Sequence, residues 1–157
     1  MMTYSNIYLT SKYSELALKE ATLAAKRGEV PVGAVIVHGP TGRIIALGSN
    51  KVIEDKDPSA HAEVVAIRAA CKALGSERLI DCDLYVTLEP CPMCAQLISF
   101  ARIRRLYFAA HDEKGGGVEN GPRVLHAKSC HHRPEIYGGI GASAAEKLLK
   151  DFFQSKR

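Results

Sequence analysis

The sequence predicts an α/β protein in which a sheet of about five strands is covered by helices. Three observations carry this. An amphipathic helical pattern near the start gives way to short β-rich runs. Further on, Leu84 to Leu88 and Arg105 to Ala109 read as strands and Pro92 to Ala101 between them as a helix. That βαβ unit requires parallel strands and a right-handed crossover. No linker or internal repeat divides the chain, so residues 1–157 read as one domain, long enough to bury a core.

The elements follow in order. Ser14 to Arg27 forms a helix with Leu16, Ala17, Ala21 and Ala24 on one face and Gly28 ending it. Val32 to His38 and Ile44 to Gly48 are strands joined at Gly39-Pro40-Thr41-Gly42, a hairpin turn. Asn50 to Pro58 is a polar loop. A helix from about Ala60 to Leu74 has Ser59 as its N-cap. Gly115 to Pro122 is a glycine-rich loop, Glu135 to Gly138 a short edge strand, and Ala144 to Phe153 a last helix capped by Ser143.

Composition narrows the function classes. At 46% hydrophobic and 24% charged, it is ordinary for a globular domain. Apolar runs such as Ala34-Val35-Ile36-Val37 are too short for a transmembrane helix, so no membrane partner is expected. Met1 to Ser14 is polar and lacks the apolar stretch of a secretory signal. Five cysteines, two of them in a ligand-like pair, indicate a reducing compartment and a cytoplasmic location. The net charge of +4 is unevenly spread. Residues 1–100 hold 10 Lys/Arg against 11 Asp/Glu, a net of −1, and residues 101–157 hold 11 against 6, a net of +5. A basic last third is what a phosphate backbone requires, although a solvated face is equally basic.

The chemistry sits in His61-Ala62-Glu63 and Pro90-Cys91-Pro92-Met93-Cys94. One imidazole and two thiols suit Zn2+, one ion per subunit, and three protein ligands are the count of a catalytic site. Cys91 and Cys94, three apart, share a helix face, with Pro92 in the first turn. Both thiols then lie at a helix N-terminus, whose dipole favours thiolate. His61 and Glu63, at the start of the other helix, can reach an ion beyond its end. Zinc acidifies water, but two thiolates cancel its formal charge, so a nearby base gains importance. Glu63 is that base and the expected catalytic residue: it takes a proton from water and returns it to the substrate. The pattern His-X-Glu with Pro-Cys-X-X-Cys marks zinc-dependent nucleobase deamination.

The flanking residues narrow this further. Glu29-Val30-Pro31-Val32-Gly33-Ala34, Asn50, Asp57-Pro58-Ser59-Ala60-His61-Ala62-Glu63 and Leu84-Tyr85-Val86-Thr87-Leu88-Glu89-Pro90-Cys91 resemble bacterial tRNA-specific adenosine deaminases. So do Asp112-Glu113-Lys114-Gly115 and Leu148-Leu149-Lys150-Asp151-Phe152-Phe153. The resemblance runs from about Tyr13 to Phe153 and implies a cytidine-deaminase-like three-layer fold, a homodimer and deamination of the wobble adenosine of a tRNA anticodon to inosine. It also implies that His61, Cys91 and Cys94 hold the zinc and Glu63 shuttles the proton. Asn50, Asp112 and Phe153 are implied to contact the nucleotide or the anticodon loop. The chain departs from better-known relatives across Gly115 to Pro122, at His111, where Arg is common, and at His131, where Asn is common. Arg102, Arg104, Arg105, Arg123, Lys128, Arg133, Lys147, Lys150, Lys156 and Arg157 supply the basic excess for phosphates. A free purine deaminase acting on guanine shares the metal motif and is the nearest alternative. A zinc-stabilised RNA-binding module without turnover is the alternative from another class.

Overall fold

A computed structural model of the chain describes residues 4–156. The first residues of the polar N-terminal stretch, Met1 to Thr3, and the last basic residue, Arg157, lie outside the described residues. The elements are α1 (Tyr4–Lys26), β1 (Gly33–His38), β2 (Arg43–Ser49), α2 (Ala62–Leu74), β3 (Cys82–Leu88), α3 (Pro92–Phe100), β4 (Arg105–Ala110), β5 (Glu135–Gly138) and α4 (Ala142–Ser155). The sheet runs β2-β1-β3-β4-β5. β1 pairs antiparallel with both β2 and β3. β3, β4 and β5 are parallel, as the βαβ pattern requires. No helix among the described residues is long and apolar enough to cross a membrane.

Strand alternation builds the layers. Ala34 and Ile36 point to one face, into a core with Ala62, Ala66, Leu84, Ile98 and Phe108, which α2 and α3 cover. Val35 and Val37 point the other way, onto Tyr13 and Ala17 of α1 and onto Tyr85 and Tyr107. α4 joins that second face through Ala145 against Ala109.

Three expected boundaries are corrected. The first helix begins ten residues before Ser14, at Tyr4. Its buried stripe includes Thr10 and Tyr13 beside Ala17, Ala21 and Ala24, so a hydroxyl and a phenol occupy turns that a purely apolar pattern leaves out. The second helix is capped by His61 rather than Ser59, whose amide and hydroxyl both turn back onto Asp57 Oδ1, at 2.8 and 2.7 Å. The last helix starts at Ala142, after Gly141 in the left-handed region (φ 76°), not at a Ser143 cap.

Register places the site. Ser49, which ends β2, is level with Gly33, which begins β1. Ala34 is level with Val86 near the end of β3, and Leu88 with Ala110, which ends β4. The segments after β2, β3 and β4 therefore leave the sheet at one edge, and they carry Asn50, Cys91 and Asp112. The amide of Lys51 donates to Ala60 O at 2.9 Å, closing the polar loop so that α2 starts beside β2. α2 can lie close to that strand because Gly48 has no side chain: a Cβ there would sit 2.5 Å from Ala62 O and 2.7 Å from Ala66 N. Gly48→Ala should cost about 1–3 kcal/mol through overpacking against helix backbone, read as a lower urea midpoint at an unchanged slope.

Candidate active site

His61 is the N-cap of α2 (φ −66°, ψ 155°) and Cys91 the N-cap of α3 (φ −68°, ψ 170°), with Pro92 opening the latter. Neither side chain makes the N-cap hydrogen bond to its helix. Both turn to the same point instead. His61 Nδ1 lies 3.5 Å from Cys91 Sγ and 3.6 Å from Cys94 Sγ. Donors at zinc bond lengths of about 2.0–2.3 Å on tetrahedral corners are about 3.3–3.8 Å apart, and both His61–cysteine distances fall in that range, with all three donor atoms within 4.8 Å of one another. Among the described residues no further His, Cys, Asp or Glu joins the group, which leaves three protein ligands. Cys130 Sγ bonds to His132 O, and Cys82 is buried, its thiol pushed up to about 11, chiefly by burial.

The electrostatics agree. The Cys91 thiol is pushed down to about 4, first by its hydrogen bond with Cys94 and also by His61. Cys94 moves the opposite way, raised by the same bond, by burial and by the charge of Glu63. His61 is raised through its bond with Cys91. Glu63, 4% exposed, is raised by burial. These groups share protons because they cannot all ionise side by side, and a divalent cation removes that conflict. The one structure thus offers a metal-ligand triad with a buried acid beside it.

A pocket of about 270 Å³ opens over the triad. Asn50 and Asp112 line it together with His61, Glu63 and Cys91. Val30 and Leu88 add apolar wall. Asn50 Oδ1 accepts from Val52 N, and Asp112 Oδ1 from Lys114 N and Gly115 N, so each also folds its own loop. Phe153 is not brought to this pocket: it lies on α4, half exposed, edge-on to Phe152. A roomier cleft of about 950 Å³ beside Tyr85 and Tyr107 at the far end of the strands lacks the triad, so chemistry rather than volume identifies the site. Glu89 and Gly115 also line the pocket. Both stand in segments that carry the resemblance, but neither is among the site residues expected from the sequence.

The basic last third is partly consumed internally. Arg104 makes two bonds to Asp83, at 2.9 and 2.8 Å, Arg105 pairs with Glu135, and Lys147 pairs with Asp151. Arg102, Arg123, Lys128, Arg133, Lys150 and Lys156 form no ion pair among the described residues.

Residues 8–110 match the family described as the cytidine and deoxycytidylate deaminase zinc-binding region. The chain is 54% identical over 145 residues to a tRNA-specific adenosine deaminase of Agrobacterium fabrum, covering 92% of this chain and 94% of that one. A solved structure from a study of A-to-I editing by tRNA:A34 deaminases at the wobble position superimposes with a TM-score of 0.85. That pair is 54% identical, over 88% of this chain and 99% of the other. A guanine deaminase of Bacillus subtilis superimposes with a TM-score of 0.61 at 43% identity, over 70% of this chain and 66% of the other. Zinc content separates the roles of the site residues. Cys91→Ala should purify with little or no zinc, and Glu63→Gln with an unaltered zinc stoichiometry by elemental analysis.

Proposed function

The chain belongs to the cytidine and deoxycytidylate deaminase zinc-binding family, in its tRNA-specific adenosine deaminase branch, and from that premise we propose that it converts the wobble adenosine of a tRNA anticodon to inosine. The observation that carries this reading is the three-ligand triad with buried Glu63 beside it, at the floor of a pocket walled by Asn50 and Asp112. His61, Cys91 and Cys94 hold the ion. A bound zinc supplies Lewis-acid activation of water. Glu63 would take one proton from the attacking water to the ring nitrogen, and then the proton of the hydroxyl formed at C6 to the departing amine. The water oxygen bonds to C6 of the base, the C6–N6 bond breaks, and ammonia leaves. A carboxyl raised by burial holds a proton more readily than a free one, which suits a group that must both take and give it.

The RNA follows from access. A base reaches such a pocket only when splayed out of its stack, which a loop permits at small cost. Asn50 and Asp112 at the pocket wall supply polar partners for the flipped nucleotide. Phe153, exposed on α4, offers a ring on which a neighbouring loop base can stack. Arg102, Arg123, Lys128, Arg133, Lys150 and Lys156, without ion pairs among the described residues, supply charge for the phosphates. A homodimer completes the reading: Met93 and Phe100, seven residues apart on α3, are 42% and 65% exposed on one helix face.

Four measurements test this. The purified protein should form inosine at the wobble position of an anticodon stem-loop and leave free guanine unchanged; the opposite preference selects the purine deaminase. Glu63→Gln should lose on the order of 10²–10⁴-fold in turnover while keeping its zinc. Binding should weaken with salt by a log–log slope of about −0.7 per single-strand phosphate contact, and replacing Lys150 or Arg133 by Ala should shallow that slope. In sedimentation equilibrium Phe100→Asp should shift a dimer to the monomer mass, and an unchanged mass would remove α3 from the interface.

A further inference from the structure

Glu89 is 2% exposed, lies two residues before Cys91, and forms no ion pair among the described residues. Its carboxylate is met instead by five donors from a single loop. Oε1 accepts from Asp112 N at 3.1 Å and from Asn120 Nδ2 at 2.7 Å. Oε2 accepts from Val118 N, Glu119 N and Asn120 N at 3.2, 2.9 and 3.0 Å. The loop wraps the carboxylate closely: a Cβ on Gly116 would lie 2.5 Å from Glu89 Oε2 and 2.5 Å from Asp112 O. Further bonds fasten it elsewhere, among them Gly117 N to Pro90 O at 2.8 Å, Val124 N to Gly117 O at 2.8 Å and His111 Nε2 with Glu119 Oε2 at 2.8 Å.

We infer that Glu89 is a positioning residue whose carboxylate is the template for the Asp112–Asn120 loop, and that through this loop it sets Asp112 and Gly115 at the pocket for RNA binding. The structural half stands on hydrogen bonds alone. The binding half rests on the pocket being the nucleoside site, as proposed above. Glu89 lines the pocket, but both of its carboxylate oxygens are taken up by the loop and no bond described joins it to the triad, so its effect is exerted through Asp112.

The chemistry of a single-atom change makes this testable. Glu89→Gln keeps shape and length but replaces one acceptor with a donor. The amide oxygen belongs where three backbone N–H groups converge, at Oε2. The new NH₂ then faces Asp112 N–H, donor against donor, and Asn120 can meet it only by turning its amide to present Oδ1. The lesion therefore falls on Asp112 rather than on the triad. Adding Asn120→Asp restores an acceptor for that NH₂ and should recover part of the loss.

In Glu89→Gln, amide hydrogen exchange should accelerate at Asp112 and at 118–120 and stay unchanged in α2 and α3. Zinc stoichiometry should be that of the wild type. KM for an anticodon stem-loop should rise on the order of tenfold or more, with kcat changing much less. The double variant with Asn120→Asp should move both readings back. Should Glu89→Gln not fold, Asn120→Ala deletes the 2.7 Å bond alone and should show the same pattern more weakly. Unchanged exchange in the loop overturns the template. Faster exchange with an unchanged KM overturns the positioning role, and loss of zinc with a fall dominated by kcat assigns Glu89 to the metal site instead. If the wild type deaminates no stem-loop at all, the substrate reading falls, while the exchange result still decides the template.

Discussion

His61 and Cys91 occupy the N-cap positions of α2 and α3, yet neither side chain makes the cap bond, and the two meet each other instead, Nδ1 to Sγ at 3.5 Å. Forgoing an N-cap bond costs about 1 kcal/mol per helix. The return is that two helix poles face one point, where their partial positive charge favours thiolate and the anionic oxygen chemistry expected there. Everything else in the fold serves that convergence. Antiparallel pairing of β1 with both neighbours and parallel pairing of β3 with β4 bring the segments after β2, β3 and β4 to one edge. Gly48 then admits α2 close enough to aim its first turn inward.

Loops at such an edge need fixing by something other than the sheet, and two buried acids do it. Glu29, 2% exposed, accepts from Ile53 N at 3.0 Å and Glu54 N at 2.9 Å, holding the loop that follows Asn50. Arg27 braces the same wall through Ser49 Oγ and the Asn50 carbonyl. Glu89 holds the opposite wall. Desolvating a carboxylate costs several kcal/mol, whereas each bond to an ionised acceptor is worth about 1.5–3 kcal/mol. Five such bonds outweigh the cost. Burial alone would raise the Glu89 carboxyl, but the bonds from Asp112, Asn120 and Glu119 hold it below the usual range. The acid is thus a stable ion without a cation beside it.

The metal chemistry was legible in the sequence because it depends on residue type at short spacing: His61 with Glu63, and Cys91 with Cys94. The layered α/β fold was legible because Leu84 to Ala109 repeats strand, helix, strand with sharp changes of period. Helix starts were not. Ser59 looked like a cap, but Asp57 claims its amide and hydroxyl, and the true cap is the metal ligand itself. The length of α1 was hidden because Thr10 and Tyr13 sit in its buried stripe, and a pattern of apolar letters passes over them. Glu89 was hidden for a related reason. An acid beside a cysteine pair reads as one more polar residue until the loop 23 or more positions later folds onto it.

That fold also accounts for the segment where this sequence leaves its better-known relatives. Four of the five donors to Glu89 are backbone amides, from Asp112, Val118, Glu119 and Asn120, and only Asn120 adds a side chain. A template that reads main chain leaves side-chain identity largely free. What it restricts is bulk at Gly116, where the carboxylate and Asp112 O leave no room for a Cβ, and at Gly117, where Pro92 N would lie 2.5 Å away. A run of three glycines satisfies both limits. The departure from the family pattern therefore need not move Asp112 or disturb the triad, because the constraint acts on the path of the backbone and that path is set from the strand side by Glu89.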